Sequence, residues 1–279
     1  MGGARLSGED AAALLRARYG AEPDFAPPDG ISSGLAAILD RRVTRRYRPE
    51  PVAEPLLRTL LAAAQSAPSK SDLQQYSIIV VQDPAKIAAV ADWIGTMSWI
   101  KDAPVFLFFC GDFRRGRRLC DMHGLEHAND NVDTFLNATA DAALAMAHLI
   151  LAAEMAGLGT CPISYVRNHV ERVAPMLGLP RGVFPVAGLT LGWPASRNAP
   201  SPRLPQPLVV HRERYDDSGL EAALPAYDAL RQPAKPRYPE VHGPRPEGCR
   251  WSENSARQLS VPERFGLRTW LRSRGISLD

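Results

Sequence analysis

The feature that most constrains the fold is a helix-length segment, Ala138 to Ala156, in which nearly every position is apolar. Asp141, His148 and Glu154 are its main polar exceptions. A helix that is apolar on all sides must be covered on all sides. The simplest cover is the chain's own sheet on one side and a second subunit on the other, with a core helix of a monomer as the alternative. Gly157 then supplies the helix stop.

Helices and short apolar strands alternate along the chain. The predicted elements are a helix opened by a Ser7–Asp10 capping box and reaching about Arg18, a linker at 22–30, a helix over 52–66, and buried strands over 76–81 and 104–110. The strand assignments rest on continuous runs of β-branched and aromatic residues.

Prolines become frequent from Pro194 onward. At this density they prevent a continuous helix or a central strand, so we expect an extended excursion that closes with a helix from Val261 to Gly275. The predicted organisation is an N-terminal appendage and linker at 1–33, a core at 34–194, and a C-terminal excursion with its terminal helix at 195–279.

Composition bounds the function classes. With 279 residues, 45% of them hydrophobic, the chain can bury a large core in one or two domains. A net charge of +3 favours no polyanion, and the basic run Arg114–Arg118 lacks interleaved aromatics, so it is interpreted as a solvated loop and no nucleic-acid partner is expected.

The expected location is the cytoplasm, and no membrane partner is expected. No apolar segment reaches the length needed to span a bilayer. The four cysteines are far apart without framework spacing, so reduced thiols are the default.

Several common catalytic and binding sites are not supported. Cys120, His123 and His127 have loosely metal-like spacing but number only three, so no metal is expected. Ser69 lacks a G-x-S-x-G elbow. The chain contains neither a G-x-G-x-x-G sequence after a strand nor a Walker A sequence.

Two motifs indicate a cofactor instead. Arg41-Arg42-Val43-Thr44-Arg45-Arg46-Tyr47 is followed by Ala67-Pro68-Ser69-Lys70-Ser71-Asp72-Leu73-Gln74. Arginine forks match phosphate oxygens, and hydroxyl and amide groups on a turn suit a ring edge or a ribityl chain. The pair suggests a phosphorylated, planar heteroaromatic cofactor, although basic residues at a helix end can also merely favour the macrodipole.

These motifs resemble the nitroreductase family, closest to its NADPH-dependent flavin reductases and oxygen-insensitive nitroreductases. The resemblance runs from about residue 34 to the C-terminus, and the order and spacing of its motifs make it specific. The further motifs are Ala156-Gly157-Leu158-Gly159-Thr160, the run 183–194, Pro202-Arg203-Leu204-Pro205, Arg167-Asn168, Val210-His211 before Tyr215, and Trp251-Ser252-Glu253.

The resemblance implies an α+β fold, with a central, mostly antiparallel sheet flanked by helices and a Pro-rich C-terminal excursion. It also implies an FMN-dependent oxidoreductase that passes hydride from NADPH or NADH to a small electrophilic acceptor, such as a nitroaromatic, a quinone or a flavin, by a ping-pong mechanism. The flavin N5 does the chemistry, so no catalytic side chain is expected. A homodimer is implied, with the long helix at its interface, where a charge at Ala145 should be disruptive.

By the same resemblance, the cofactor-binding candidates fall into three groups. Arginines for the phosphate are Arg41, Arg42, Arg45 and Arg203; residues for the ribityl chain and pyrimidine edge are Ser69, Ser71 and Gln74; backbone groups near the ring belong to Ile163, Ser164 and Tyr165. Basic residues that could select NADPH are Arg231, Lys235 and Arg237, although they could also merely solvate the Pro-rich segment.

Departures from the family pattern concern substrate range. Ser164-Tyr165 stands where close relatives have a Gly-Gly pair, and Tyr165 would restrict the pocket or stack on an aromatic substrate. Two alternatives stay open: a flavin-binding protein without turnover, and a flavin-dependent dehydrogenase of the same fold.

Overall fold

A computed structural model describes residues 5–231, 241–244 and 248–279. Its elements in chain order are β1 (Arg5–Ser7), α1 (Gly8–Tyr19), β2 (Gly30–Ser32), α2 (Ser33–Leu39), α3 (Glu54–Gln65), β3 (Tyr76–Val81), α4 (Pro84–Ile94), β4 (Val105–Asp112), α5 (Phe113–Met122), α6 (Val132–Met155), β5 (Gly159–Ile163), α7 (Val170–Leu177), β6 (Val183–Gly192), α8 (Leu220–Leu230), α9 (Trp251–Leu259) and α10 (Leu267–Ser273).

The described chain divides into two compact units. One comprises residues up to Arg41 together with Ala199–Glu263, and the other comprises Arg42–Asn198 together with Arg264–Asp279. The functional division expected at residues 33 and 194 stays a prediction. Below, the two units are called the terminal unit and the sheet unit.

The sheet unit is built on a four-stranded antiparallel sheet in the order β3-β4-β6-β5. Every residue of β4 and β6 is buried, because each strand has a neighbour on both sides and helices on both faces. Side chains alternate across β4: Val105, Leu107 and Phe109 join the core with α3 and α6, whereas Phe106 and Phe108 join the core with α4 and α7. The expected helix-flanked antiparallel sheet is confirmed.

The long helix α6 begins at Val132, six residues before the predicted start, where Asn131 caps it by accepting a hydrogen bond from the Thr134 N–H at 3.1 Å. Eight positions along its inner face are buried, among them Asp141 and Ala145. The opposite side exposes an apolar stripe, comprising Leu136, Ala140, Ala143, Leu144 and Ala147. Within the part of the chain that the structure describes, the helix is therefore covered on one side only.

The additional turns of α6 also correct an expectation about length. Among the described residues, Val132–Met155 is the one helix long and apolar enough, by length and composition alone, to cross a membrane, with a mean hydropathy of 1.4 over its best window. Its inner face nevertheless packs on α3 and on the sheet, and Asp141 on that face binds a neighbouring loop. These contacts are those of a helix layered on a sheet.

The terminal unit contains more helix than its prolines predicted. The capping box at Ser7 and Asp10 is confirmed at the start of α1, but α8 and α9 fall where an extended excursion was expected. Pro225 lies inside α8. The carboxylate of Asp228 accepts a hydrogen bond from the Ser252 N–H at 2.9 Å and so caps the start of α9.

The terminal helix expected from Val261 to Gly275 is shorter than predicted. Helix α9 ends at Leu259, and α10, which lies within the predicted range, runs from Leu267 to Ser273. Pro262 separates them; a proline prevents the preceding residue from adopting the helical region easily, and Arg264 has a positive φ of 58°.

Candidate functional site

The Ser69–Gln75 loop, which leads into β3, is anchored by a single buried side chain. The carboxylate of Asp141 accepts hydrogen bonds from the Ser69 hydroxyl at 3.1 Å, the Lys70 N–H at 3.0 Å and the Gln75 N–H at 2.9 Å. Asp141 is only 1% exposed. Three donors around one buried acceptor suit an ionised carboxylate, which accepts and never donates.

The backbone of this loop is strained. Ser71, Asp72 and Gln74 have φ values of 51°, 55° and 50°, in the left-handed region that non-glycine residues rarely adopt. Each such residue costs on the order of 1 kcal/mol and persists only where its surroundings enforce it. The hydrogen bonds to Asp141 provide that enforcement, and the Ser71 and Gln74 side chains are left exposed.

Arg115 fastens the loop from the other side. It lies in α5, so the basic run 114–118, expected to be a solvated loop, is helical. Its guanidinium donates to the Gln74 and Tyr76 carbonyls and to the Ser77 hydroxyl. The helix could have been recognised from Asp112, whose side chain caps the start of α5 by accepting a hydrogen bond from the Arg115 N–H at 3.0 Å.

A cavity of about 550 Å³ opens beside the loop. Its polar lining includes Asp72, Gln74, Tyr76, Ser77 and Arg115, and Leu61 and Leu119 are among its apolar side chains. The volume lies within the range of small-molecule sites. The buried Oε1 atom of the neighbouring Gln75 has no hydrogen-bond partner among the described residues, so the loop retains an unused acceptor.

The arginine motif forms a second candidate segment, Arg42–Tyr47, which lies along β5. The Thr44 N–H donates to the Thr160 carbonyl at 2.8 Å. Gly159 makes this approach possible, because a Cβ there would lie 2.2 Å from the Thr44 hydroxyl oxygen. The buried Tyr47 hydroxyl bonds to Thr190 at 2.7 Å. Burial, the largest influence, raises the pKa of Tyr47 far above its usual range.

Two arginines of this segment, Arg42 and Arg45, have different surroundings. Arg42 donates to the Asn198 carbonyl at 2.9 Å, and the Asn198 amide donates to the Val43 carbonyl at 3.0 Å. Arg45 is exposed. Arg45 therefore offers a guanidinium to a ligand more readily than Arg42 does.

The Ile163–Tyr165 candidates lie where β5 ends and a short 3-10 helix, Ser164–His169, begins. Ile163 is 2% exposed, whereas Ser164 is exposed and the Tyr165 ring lies 6.5 Å from that of His169. Burial, together with the charge of Arg172, lowers the pKa of His169. Arg167 donates to the Val186 carbonyl and so fixes this turn to β6.

Within one chain the sheet unit separates its candidate residues into two groups. The Ser69, Ser71 and Gln74 group precedes β3, and the Arg42, Arg45 and Ile163–Tyr165 group borders β5. These strands form opposite edges of the sheet, three strand spacings or roughly 14 Å apart. The groups thus lie at two separate edges of the sheet.

The remaining candidates belong to the terminal unit. Arg203 is exposed and donates to the Ser201 carbonyl at 3.3 Å, while Arg41 follows α2 and its carbonyl accepts from Arg18. Arg231 donates to the Pro202 carbonyl at 3.5 Å, and its Nε is buried without a partner among the described residues. Lys235 and Arg237 lie outside the described residues.

Sequence reasoning missed Asp141 and Arg115 as the residues that shape the loop. Asp141 was visible only as a polar exception in an apolar helix, and a buried carboxylate there requires donors. Taken together, exposed arginine, hydroxyl and amide groups fit a phosphorylated, planar heteroaromatic ligand by the chemistry of their donors.

The chain matches known sequences along most of its length. A family model described as "Nitroreductase family" matches residues 38–193, and one described as "Nitroreductase family, C-terminal domain" matches residues 201–279. The FMN reductase [NAD(P)H] of Bacillus subtilis is 40% identical over 197 residues, which cover 70% of this chain and 79% of that protein.

Two further proteins match at nearly full length. The oxygen-insensitive NADPH nitroreductase of Salmonella typhimurium is 33% identical over 88% of this chain and 98% of its own. Among solved structures, the NADPH:FMN oxidoreductase from Vibrio harveyi complexed with NAD+ has a TM-score of 0.75 and 27% identity, covering 87% of this chain and 97% of that one.

Proposed function

The chain belongs to the nitroreductase family, and on that premise we propose that it is an FMN-dependent oxidoreductase that uses NADPH or NADH to reduce small electrophilic acceptors. Nitroaromatics, quinones and flavins are the proposed acceptor classes, and the two half-reactions alternate in a ping-pong cycle. Bound FMN would supply the hydride chemistry, while the protein orients the reactants and excludes water.

The observation that carries this proposal is the Ser69–Gln75 loop. A buried carboxylate and Arg115 hold it in a strained form that exposes hydroxyl and amide groups. Strain of this kind is concentrated at ligand-binding sites. Relatives that align over this region are named as FMN reductases, which supports FMN as the ligand.

Each group of residues has a proposed role toward FMN. Arg41, Arg45 and Arg203 would bind the phosphate by charge-assisted hydrogen bonds, with Arg42 as a neighbouring contributor. Ser69, Ser71 and Gln74 would bind the ribityl chain and the pyrimidine edge. The backbone N–H groups of Ile163, Ser164 and Tyr165 would lie against the ring, with the Tyr165 side chain limiting which acceptors enter.

We propose a homodimer in which two copies complete each site. The two groups of residues occupy opposite sheet edges of one chain, so a second copy would bring a β3 edge to a β5 edge. The exposed apolar stripe of α6 supports an interface there. Ala145 is fully buried within its own chain, so Leu144→Glu, on the exposed stripe, is the appropriate interface variant. Loss of dimer and flavin together would support this arrangement.

NADPH is the proposed preferred nucleotide, by about tenfold in kcat/KM or roughly 1.4 kcal/mol. Arg231, Lys235 and Arg237 are the proposed contacts to its 2′-phosphate, and neutralising all three should abolish the preference. The four cysteines include no disulfide, which supports the proposed cytoplasmic location.

The decisive experiment is anaerobic mixing of the purified flavoprotein with NADPH and then with an acceptor. Bleaching of the yellow colour by NADPH, with recovery on adding a quinone or nitroaromatic, is the expected result. Bleaching without recovery would favour a dehydrogenase or another physiological acceptor. A bound flavin that no nicotinamide nucleotide bleaches would instead favour a non-catalytic flavin-binding protein.

The site assignment has its own test. Arg45→Ala and Arg203→Ala should each weaken FMN binding by roughly tenfold to a hundredfold, since each removes a charge-assisted contact of about 1.5–3 kcal/mol. Arg46→Ala, an exposed neighbour with no assigned role, is the matched control. Unchanged FMN affinity in both test variants would show that the phosphate site lies elsewhere.

A further inference from the structure

Arg18, in the last turn of α1, connects two segments that are far apart in sequence. Its guanidinium donates from Nε and Nη2 to the Leu39 carbonyl at 3.1 and 2.7 Å, and from Nη2 to the Arg41 carbonyl at 2.5 Å. Nη1 donates to the Ser201 carbonyl at 3.3 Å. Its own backbone carbonyl accepts from the Arg203 N–H at 2.9 Å. One residue thus bonds to the backbone of both Arg41 and Arg203.

The surroundings of Arg18 reinforce this connection. The helix ends at Gly20, whose positive φ of 73° turns the chain, and a Cβ built there would lie 3.4 Å from the Pro202 ring. The Pro202 carbonyl accepts from the Tyr227 hydroxyl at 3.1 Å. The 201–203 segment is therefore held by α1 on one side and by α8 on the other.

We propose that the N-terminal appendage, through Arg18, positions the phosphate-binding arginines Arg41 and Arg203 for FMN. The proposal rests on the proposed function, since it takes FMN as the ligand. Arg18 is a positioning residue that acts through the backbone. It lies before residue 38, where the family match begins, so this device is supplied by the part of the chain outside that match.

The physical reason is preorganisation. Two guanidinium groups that share one phosphate repel each other until the phosphate binds, and each long side chain must lose rotamer freedom on binding. The Arg41 carbonyl is held by the Arg18 guanidinium, and the 201–203 segment is held by the same guanidinium at Ser201 and by the Arg18 carbonyl at the Arg203 N–H. The two side chains therefore start from fixed positions, and less of the binding energy is spent on ordering them. Arg18 should therefore strengthen the binding only of ligands that carry the phosphate.

FMN and riboflavin differ only in the phosphate, so a comparison of their binding tests the proposed role of Arg18. Apoprotein of the parent, of Arg18→Ala and of Arg18→Lys is titrated with each flavin by fluorescence quenching. For Arg18→Ala the expected result is an FMN Kd about tenfold higher and a riboflavin Kd within about twofold of the parent. Arg18→Lys should be intermediate, because a lysine keeps the charge but cannot serve three carbonyls.

The matched control is Arg16→Ala, in the same helix, whose guanidinium pairs with the exposed Glu22 at 3.5 Å. It should leave both Kd values unchanged. An equal loss of FMN and riboflavin binding in Arg18→Ala would mean a general structural role and would overturn the inference, as would no loss of either. Should Arg18→Ala not fold, the same criteria apply to Arg18→Lys.

A failure of the proposed function is recognised separately. It would appear in the parent protein as no FMN binding, or as no preference for FMN over riboflavin, whatever Arg18 does. A parent that prefers FMN, combined with an Arg18→Ala variant that retains the full preference, would overturn this inference alone.

Discussion

The two candidate segments at opposite edges of the sheet are held in different ways. The Ser69–Gln75 loop depends on one buried charge, Asp141, whose three hydrogen bonds sustain a strained backbone. The Arg42–Tyr47 segment depends on several separate contacts, among them a strand-like hydrogen bond to Thr160, close packing on Gly159 and the hydrogen bond from Arg42 to Asn198. A single buried charge can enforce an unusual geometry, whereas distributed contacts tolerate the loss of any one member.

The largest effect should therefore follow from removing the charge. Asp141→Asn replaces an acceptor with an amide whose NH2 group faces N–H donors, so at least one buried donor is left unsatisfied. We expect the free energy of unfolding to fall by about 3 kcal/mol, measured by urea denaturation. FMN affinity should fall with it, because Ser69 loses its anchor.

Asp133→Asn, at the exposed start of the same helix, is the control for this variant. Its carboxylate accepts from the Asn137 side chain at 2.8 Å, an exposed interaction worth about 0.5 kcal/mol. Equal destabilisation by the two variants would remove the distinction between a charge-anchored loop and ordinary surface chemistry.

The packing of the other segment is tested by Gly159→Ala. The added Cβ would lie 2.2–2.7 Å from three side-chain atoms of Thr44, so the segment must move away from β5. Overpacking of this kind should lower the free energy of unfolding by about 2 kcal/mol. Gly266→Ala has nothing within 4 Å of its Cβ and is the control. If Gly159→Ala left the free energy of unfolding unchanged, the segment would be free to move away from β5.

Alkaline pH tests the burial of Tyr47. Burial raises the pKa of Tyr47 in the folded protein, so above its ordinary value near 10 the unfolded chain releases a proton that the folded chain retains. The contribution of Tyr47 to the free energy of unfolding is therefore fully present below pH 10, and above pH 10 it falls by about 1.4 kcal/mol per pH unit. Tyr47→Phe should lack this part of the loss.

Cys110 contributes in the same direction, since burial and Asp112 raise its pKa to about 12. Because both the parent and Tyr47→Phe contain Cys110, its effect cancels in their difference. Urea denaturation at pH 9 and pH 11 is the measurement, and parallel stability curves for the two proteins would mean that Tyr47 ionises freely in the folded state.

Some features of the sheet unit could be predicted from the sequence and others could not, because only some of them depend on residues that are close together in the chain. Strands β3 and β4, most of α6 and the position of the Ser-rich turn were predictable, because continuous apolar strands and helical periods record burial directly. The hydrogen bonds of Asp141 and Arg115 were not, since they join residues some 40 to 70 positions apart in the chain, and no local pattern records such a pairing. The solvated loop expected at 114–118 is a different case, because a local signal did exist: Asp112 occupies the N-cap position of the helix that contains Arg115.

The smallest expected effect concerns the loop's own backbone. Ser71→Val places a β-branched residue at φ 51°, where its side chain crowds the backbone, and we expect a loss of about 1 kcal/mol in the free energy of unfolding. Lys70→Val is the matched control, because Lys70 is the adjacent exposed residue and is absent from the described residues with positive φ. Ser71→Val should also raise the FMN Kd, through the altered backbone and through loss of the proposed Ser71 contact to the flavin, whereas Lys70→Val should not. Should both variants behave alike, the loop would be free to relax, and the contrast between an enforced loop and a tolerant segment would not hold.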